Sequence, residues 1–211
     1  MHTRLLTAAA ALLLSLVAPG PARAAVEDLP GMDTAANMKE WLKLSDDQVA
    51  RLKPVIATRL QKMDAAIAKV EAAEKPDIVA FIEELGKARK DFDAGVAAIL
   101  TPPQQAQWGS FKAELEKDLV LSAAKRQLKA LTPVLKLTDA QAQWLVGPFA
   151  SATQKKLDLF QKLSDGKRIS LRDKIHAKRT LGEINEELEK AMGKTLSPEQ
   201  MAAYKKATSK K

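Results

Sequence analysis

The chain has no cysteine, so thiolate nucleophiles, disulfides and cysteine-held metals are excluded. It has two histidines. His2 falls in an N-terminal segment expected to be removed, which leaves His176. Transition metals need several converging ligands, and a single histidine among cations makes a poor cation site. His176 therefore reads as structural or solvated. Aromatic residues make up 4% of the chain and there are nine glycines. No glycine-rich phosphate loop, nucleophile elbow or metal-binding helix motif is present. Acidic pairs occur at Asp46-Asp47, Glu83-Glu84 and Glu186-Glu187. Adjacent residues on a helix do not face one another, so these pairs do not make the two-carboxylate cleft of acid–base catalysis. Glu83 and Glu84 are expected to pair with Lys87. The sequence points away from an enzyme, a cofactor and a metal.

The N-terminus reads as a secretory signal peptide over residues 1–24. His2 and Arg4 give a basic start, Leu5 to Ala18 is an apolar run, and Ala22-Arg23-Ala24 forms a small-x-small cleavage site. The run falls short of the roughly 20 residues a membrane-spanning helix needs. No cysteine follows it, which excludes a lipoprotein anchor. The mature chain is expected to begin near Ala25, in a bacterial periplasm.

Charge is uneven. Residues 25–118 carry 13 basic and 17 acidic side chains, net −4; residues 119–211 carry 19 and 9, net +10. Such asymmetry points to a basic surface and an acidic or anionic partner.

What the chain has in quantity is Ala, Leu, Lys, Glu and Gln, all strong helix formers. Apolar residues recur in steps of three and four through Val49, Leu52, Ile56, Leu60, Met63, Ile67 and Val70. The same spacing runs through Ile78, Ile82, Leu85, Ala88, Phe92, Val96 and Ile99, then Trp108, Phe111, Leu115 and Leu119. No stretch alternates as a strand does. The class expected is all-α. Trp41, Trp108 and Trp144 are expected to pack in the core or between hairpin arms.

One short pattern occurs four times: Leu44-Ser45-x-x-Gln48, Leu100-Thr101-x-x-Gln104, Leu137-Thr138-x-x-Gln141 and Leu196-Ser197-x-x-Gln200. Each Ser or Thr can cap a helix while the Gln reaches back to its N–H, and the Leu can staple onto the first turn. Val49 and Met201 are the expected staple partners. Pro102 and Pro198 stand at first helical positions, where proline costs nothing. The motifs also reveal a duplication. A shift of 93 to 96 residues superposes Leu85 on Leu181, Gly86 on Gly182, Phe92 on Leu188, Val96 on Met192 and Trp108 on Tyr204. The domains expected are 25–118 and 119–211, with helix between them, so that the halves can share a continuous helix and one core. Pro54 and Pro148 lie inside helical patterns, where kinks are expected.

A helix opening Leu-[Ser/Thr]-x-x-Gln, a long hairpin, and then "AILTPPQQAQW" or "TLSPEQMAAY" resembles the Spy/CpxP group, the LTxxQ family of periplasmic proteins. The likeness covers about Leu44 to Lys206, with Trp108 and Tyr204 as the aromatics eight residues past the leucine. It implies ATP-independent chaperones or envelope-stress modulators, built from long helical hairpins with a basic, partly apolar face. Two units in tandem imply one polypeptide forming a pseudo-dimeric cradle or bundle, a monomer rather than a homodimer. Zinc-binding relatives use His or Cys near their termini. The mature chain has neither there, so no metal is carried over.

The densest basic stretch is "GKRISLRDKIHAKRT", Gly166 to Thr180. Lys167, Arg168, Arg172, Lys174, Lys178 and Arg179 mix there with Ile169, Leu171 and Ile175. On a helix, Arg172, Ile175 and Arg179 share a face, beside Leu171, Lys174 and Lys178. A surface of this kind suits unfolded clients, because charge steers the encounter and weak apolar contacts hold it. The expected partners are unfolded or partly folded periplasmic proteins. The alternatives are a sensor kinase's periplasmic domain or an anionic envelope surface, the latter also through Lys205, Lys206, Lys210 and Lys211. Nucleic acid suits the charge, but export argues against it.

Overall fold

The structure, a computed structural model, describes residues 34–72, 78–164 and 169–208. The expected leader (1–24), Lys167, Arg168, Lys210 and Lys211 lie outside them. The described residues form seven helices and no strand: α1 Thr34–Leu42, α2 Asp46–Ala72, α3 Ile78–Ala97, α4 Pro102–Leu135, α5 Asp139–Leu163, α6 Leu171–Met192 and α7 Pro198–Thr208. The class is all-α. Helices run on through Pro54 and Pro148, the two prolines marked for kinks, and through Pro133.

Four helices begin one residue after the Ser or Thr of the repeated motif. At α2 the Ser45 N–H donates to Gln48 Oε1 at 3.0 Å, and the Gln48 N–H donates to Ser45 Oγ at 3.2 Å. The same two bonds close at Thr138/Gln141 and Ser197/Gln200. At α4, Thr101 donates to Gln104 Oε1 through both its N–H and its hydroxyl. These bonds satisfy donors that a helix start otherwise leaves open. Val49 packs against the buried cluster that holds Leu44, and Met201 against the one that holds Leu196. A capping box outside the repeated motif opens α6: Ser170 Oγ accepts from the Asp173 N–H, and Asp173 accepts from the Ser170 N–H. It lies outside the repeated pattern because Asp stands where Gln stands elsewhere.

The chain divides into two compact units. The first takes residues 34–117 and 161–169; the second takes 118–160 and 170–208. One unbroken helix, α4, runs through the boundary at 117/118. The halves do share a continuous helix, and each unit has a buried apolar cluster of its own. In one unit Met38, Leu42, Leu44, Leu52, Phe92, Val96, Leu100, Trp108 and Phe111 cluster. In the other, Leu128, Leu131, Leu135, Leu137, Leu145, Phe149, Ile184, Leu188, Met192, Leu196 and Tyr204 do. Each cluster gathers around the capped ends of its own repeat. The pairs Leu52/Leu145, Phe92/Leu188, Val96/Met192 and Trp108/Tyr204 occupy repeated positions and are all buried.

The repeat extends back beyond the motif leucines. Met38 and Leu42 on α1 recur, 93 residues on, as Leu131 and Leu135 on the last turns of α4, and all four are buried. Thus α4 serves twice: its start closes one repeat and its end opens the next. The signal was present as "LKLSDDQ" from Leu42 and "LKLTDAQ" from Leu135.

Candidate functional site

Lys43 and Lys136, equivalent in the two repeats, have φ of 52° and 50°. Left-handed backbone is strained for a residue with a Cβ, by about 1–2 kcal/mol. Each ends its helix in the manner of a Schellman turn, with Leu44 N–H on Lys39 O at 3.0 Å and Leu137 N–H on Thr132 O at 3.1 Å. The turn aims the last carbonyls of that helix at a glutamine from the other end of the hairpin. Gln104 Nε2 donates to Leu42 O at 3.1 Å and to Lys43 O at 3.3 Å. Gln48 Nε2 donates to Ile99 O at 3.0 Å. The two amides also bond each other, Gln48 Nε2 to Gln104 Oε1 at 2.7 Å and Gln104 Nε2 to Gln48 Oε1 at 3.2 Å.

The second repeat copies this clasp. Gln141 and Gln200 exchange bonds of 3.1 and 3.2 Å. Gln141 reaches Thr195 O, and Gln200 reaches Leu135 O and Lys136 O. Every amide oxygen therefore serves a cap N–H and its partner glutamine, while every amide nitrogen serves its partner and a helix-end carbonyl. Only glutamine has both functions at the right reach. The four motifs make two reciprocal locks, each joining the foot of a hairpin, and hold no reactive group.

On α6 the side chains of Leu171 and Ile175 are 73% and 64% exposed. Arg172, Lys174, His176, Lys178 and Arg179 are exposed as well. At 100° per residue, Lys174, Lys178, Leu171, Ile175, Arg179 and Arg172 follow one another within an arc of about 160°. Ala177, Ile184 and Leu188 bury the other side. The cations named by the sequence and described in the structure thus share one surface. Arg179 Nε bonds Glu183 at 2.8 Å, and no ion pair to Arg172, Lys174 or Lys178 occurs among the described residues. Asp173 turns away to cap Ser170, whose bonds hold its carboxyl below the usual range. His176 stands in solvent, as the solvated reading had it.

The ends of the segment before α6, Gln161 to Ser164 and Ile169, are held within the first unit. Ser164 is buried, and a Cβ built on Gly86 would fall 2.7 Å from Ser164 Cβ and closer still to its carbonyl oxygen. Glu83 Oε1 accepts the Ile169 N–H at 3.0 Å, and Gln161 Nε2 donates to Glu116 at 2.8 Å.

Two expectations need correcting. Glu83 and Glu84 do not pair with Lys87. Glu84 takes Lys69 from the facing arm of the hairpin at 2.6 Å, and Glu83 is committed to the Ile169 backbone. Of the three tryptophans only Trp108 is buried, stacked on Phe111 with ring centroids 5.5 Å apart. Trp41 rests edge-on against Phe111 yet stays 48% exposed, and Trp144 is 46% exposed. Each precedes a core leucine, Leu42 or Leu145, which takes the inward position.

Sequence reasoning missed Lys156. It is 5% exposed on α5, and burial alone pushes its amine down to about 8. Arg59, whose guanidinium lies 4.4 Å from the Phe92 ring centroid, was missed too. Both look like surface cations in a Lys- and Arg-rich chain, and only the fold turns them inward.

Comparison with family models, curated proteins and solved structures finds no match.

Proposed function

We propose that this protein is an exported, ATP-independent chaperone that binds unfolded or aggregation-prone clients weakly and reversibly on the outer face of α6. The observation that carries the reading is Leu171 and Ile175 standing free among Arg172, Lys174, Lys178 and Arg179. Buried aliphatic side chains contribute about 1.5–3 kcal/mol each. Two such side chains hold a client without trapping it, and cations within a Debye length of about 10 Å speed its capture. The leader-like start and the resemblance to the Spy/CpxP group support a periplasmic setting. The capped and clasped helices supply a frame, and binding involves no covalent step.

The test is light scattering of an aggregating client without nucleotide. A several-fold excess of the protein is expected to suppress scattering, and Leu171→Ser with Ile175→Ser to lose most of the effect. Unchanged aggregation with the unaltered protein sinks the proposal. Selective capture of one sensor domain, with no general effect on aggregation, replaces it with the regulatory reading.

A further inference from the structure

The same ridge has the composition of a helix that lies on a bilayer. Leu171 and Ile175 are one turn apart, and both project from the side of α6 opposite its buried residues. Lys174 and Lys178 flank them on one side, Arg172 and Arg179 on the other. Over these two turns the only carboxylate, Asp173, lies outside the arc. A single helix presents a convex surface. Convexity offers a folded partner little to grip, but it lets aliphatic tips enter a deformable interface while long basic side chains lay their stems alongside and keep their charges at phosphate level. Anionic headgroups supply the complementary charge.

We propose that the first two turns of α6 dock on an anionic lipid surface, with Leu171 and Ile175 entering the headgroup boundary and Arg172, Lys174 and Lys178 reaching phosphate oxygens. This goes beyond client binding and does not depend on it. Two short aliphatic side chains anchor weakly, so the attachment is peripheral, reversible and sensitive to salt.

The experiment is cosedimentation of residues 25–211, which retain every described residue, with vesicles of phosphatidylcholine alone or with one-third phosphatidylglycerol. No client is present, so its outcome is independent of the aggregation assay. At about 50 mM salt the protein is expected to pellet with the anionic vesicles and not with the neutral ones. Raising salt toward 1 M, where screening acts within about 3 Å, is expected to release it. Leu171→Ser with Ile175→Ser, and separately Lys174→Glu with Lys178→Glu, are expected to lower the partition coefficient at least ten-fold. All four positions are exposed, and unchanged helicity by circular dichroism verifies the fold. Variants that partition within two-fold of the parent overturn the proposal. So does a parent that stays in the supernatant, or one that prefers soluble polyglutamate to the vesicles.

Discussion

At the scale of single residues, the glutamines of the repeated motif do more than the local reading gave them. A capping box explains why Gln follows Ser or Thr by three. It does not explain why Glu, an equally good capper, appears at none of the four sites. The clasp does: Gln48 Nε2 must donate both to Ile99 O and to Gln104 Oε1. Gln48→Glu keeps the cap but turns two acceptors toward a carboxylate. Leaving such groups unsatisfied costs about 1–3 kcal/mol. The folded state then raises the new carboxyl's pKa above its unfolded value near 4.3. Stability is therefore expected to be lower than the parent's by a few kcal/mol at pH 7, and partly restored as pH falls through that pKa and the acid regains a donor. Urea midpoints at pH 7 and pH 4.5 test this; an equal deficit at both removes the clasp as the cause.

At the scale of helices, the duplication provides an internal control. Gly86 and Gly182 hold the same place in the two repeats, on α3 and α6. A Cβ at Gly86 meets the backbone and side chain of Ser164, whereas one at Gly182 meets nothing within 4 Å. Gly182→Ala is expected to stabilise by roughly 0.5–1 kcal/mol, as alanine does in a helix interior. Gly86→Ala is expected to destabilise by more than that, about 1–3 kcal/mol, as overpacking does. Thermal melts that move the same way for both substitutions contradict this packing. Much at this scale was legible beforehand. The four helix starts, the 3.6-residue periodicity and the α4 link all follow from local chemistry. Helix α1 was not foreseen because its nine residues hold too few turns for a period to register, and only the match between Leu42–Gln48 and Leu135–Gln141 betrays it. The α6 cap was missed through its Asp173. The anchoring of Ser164 and Ile169 on α3 depends on contacts between segments some 80 residues apart, which no local pattern encodes.

For the whole molecule, stability should vary with pH in the alkaline range. Lys156 has its amine pushed down to about 8 from 10.5 by burial. Below pH 8 both folded and unfolded chains carry the proton, and the folded state bears the full cost of burying the charge. Between pH 8 and 10.5 the unfolded chain binds more protons than the folded one, so stability rises with pH. The total is about 3 kcal/mol at most, at 1.36 kcal/mol per unit. Tyr204, pushed up to about 12 by burial and by Glu189, acts oppositely. Its folded pKa is raised, so its contribution declines above pH 10. The parent is therefore expected to gain stability relative to Lys156→Asn between pH 7.5 and 9.5 in chemical denaturation. Parallel profiles for the two proteins would mean that the amine is solvated.

The four motifs are nearly interchangeable chemically, so Gln104 could in principle mate with Gln141 as well as with Gln48. Chain entropy would even favour that error, since a shorter loop closes at lower cost. Helix α4, 34 residues long, makes up most of the chain between those wrong mates. Once it has formed, that stretch is no longer a flexible loop, and the entropic advantage of the shorter closure is gone.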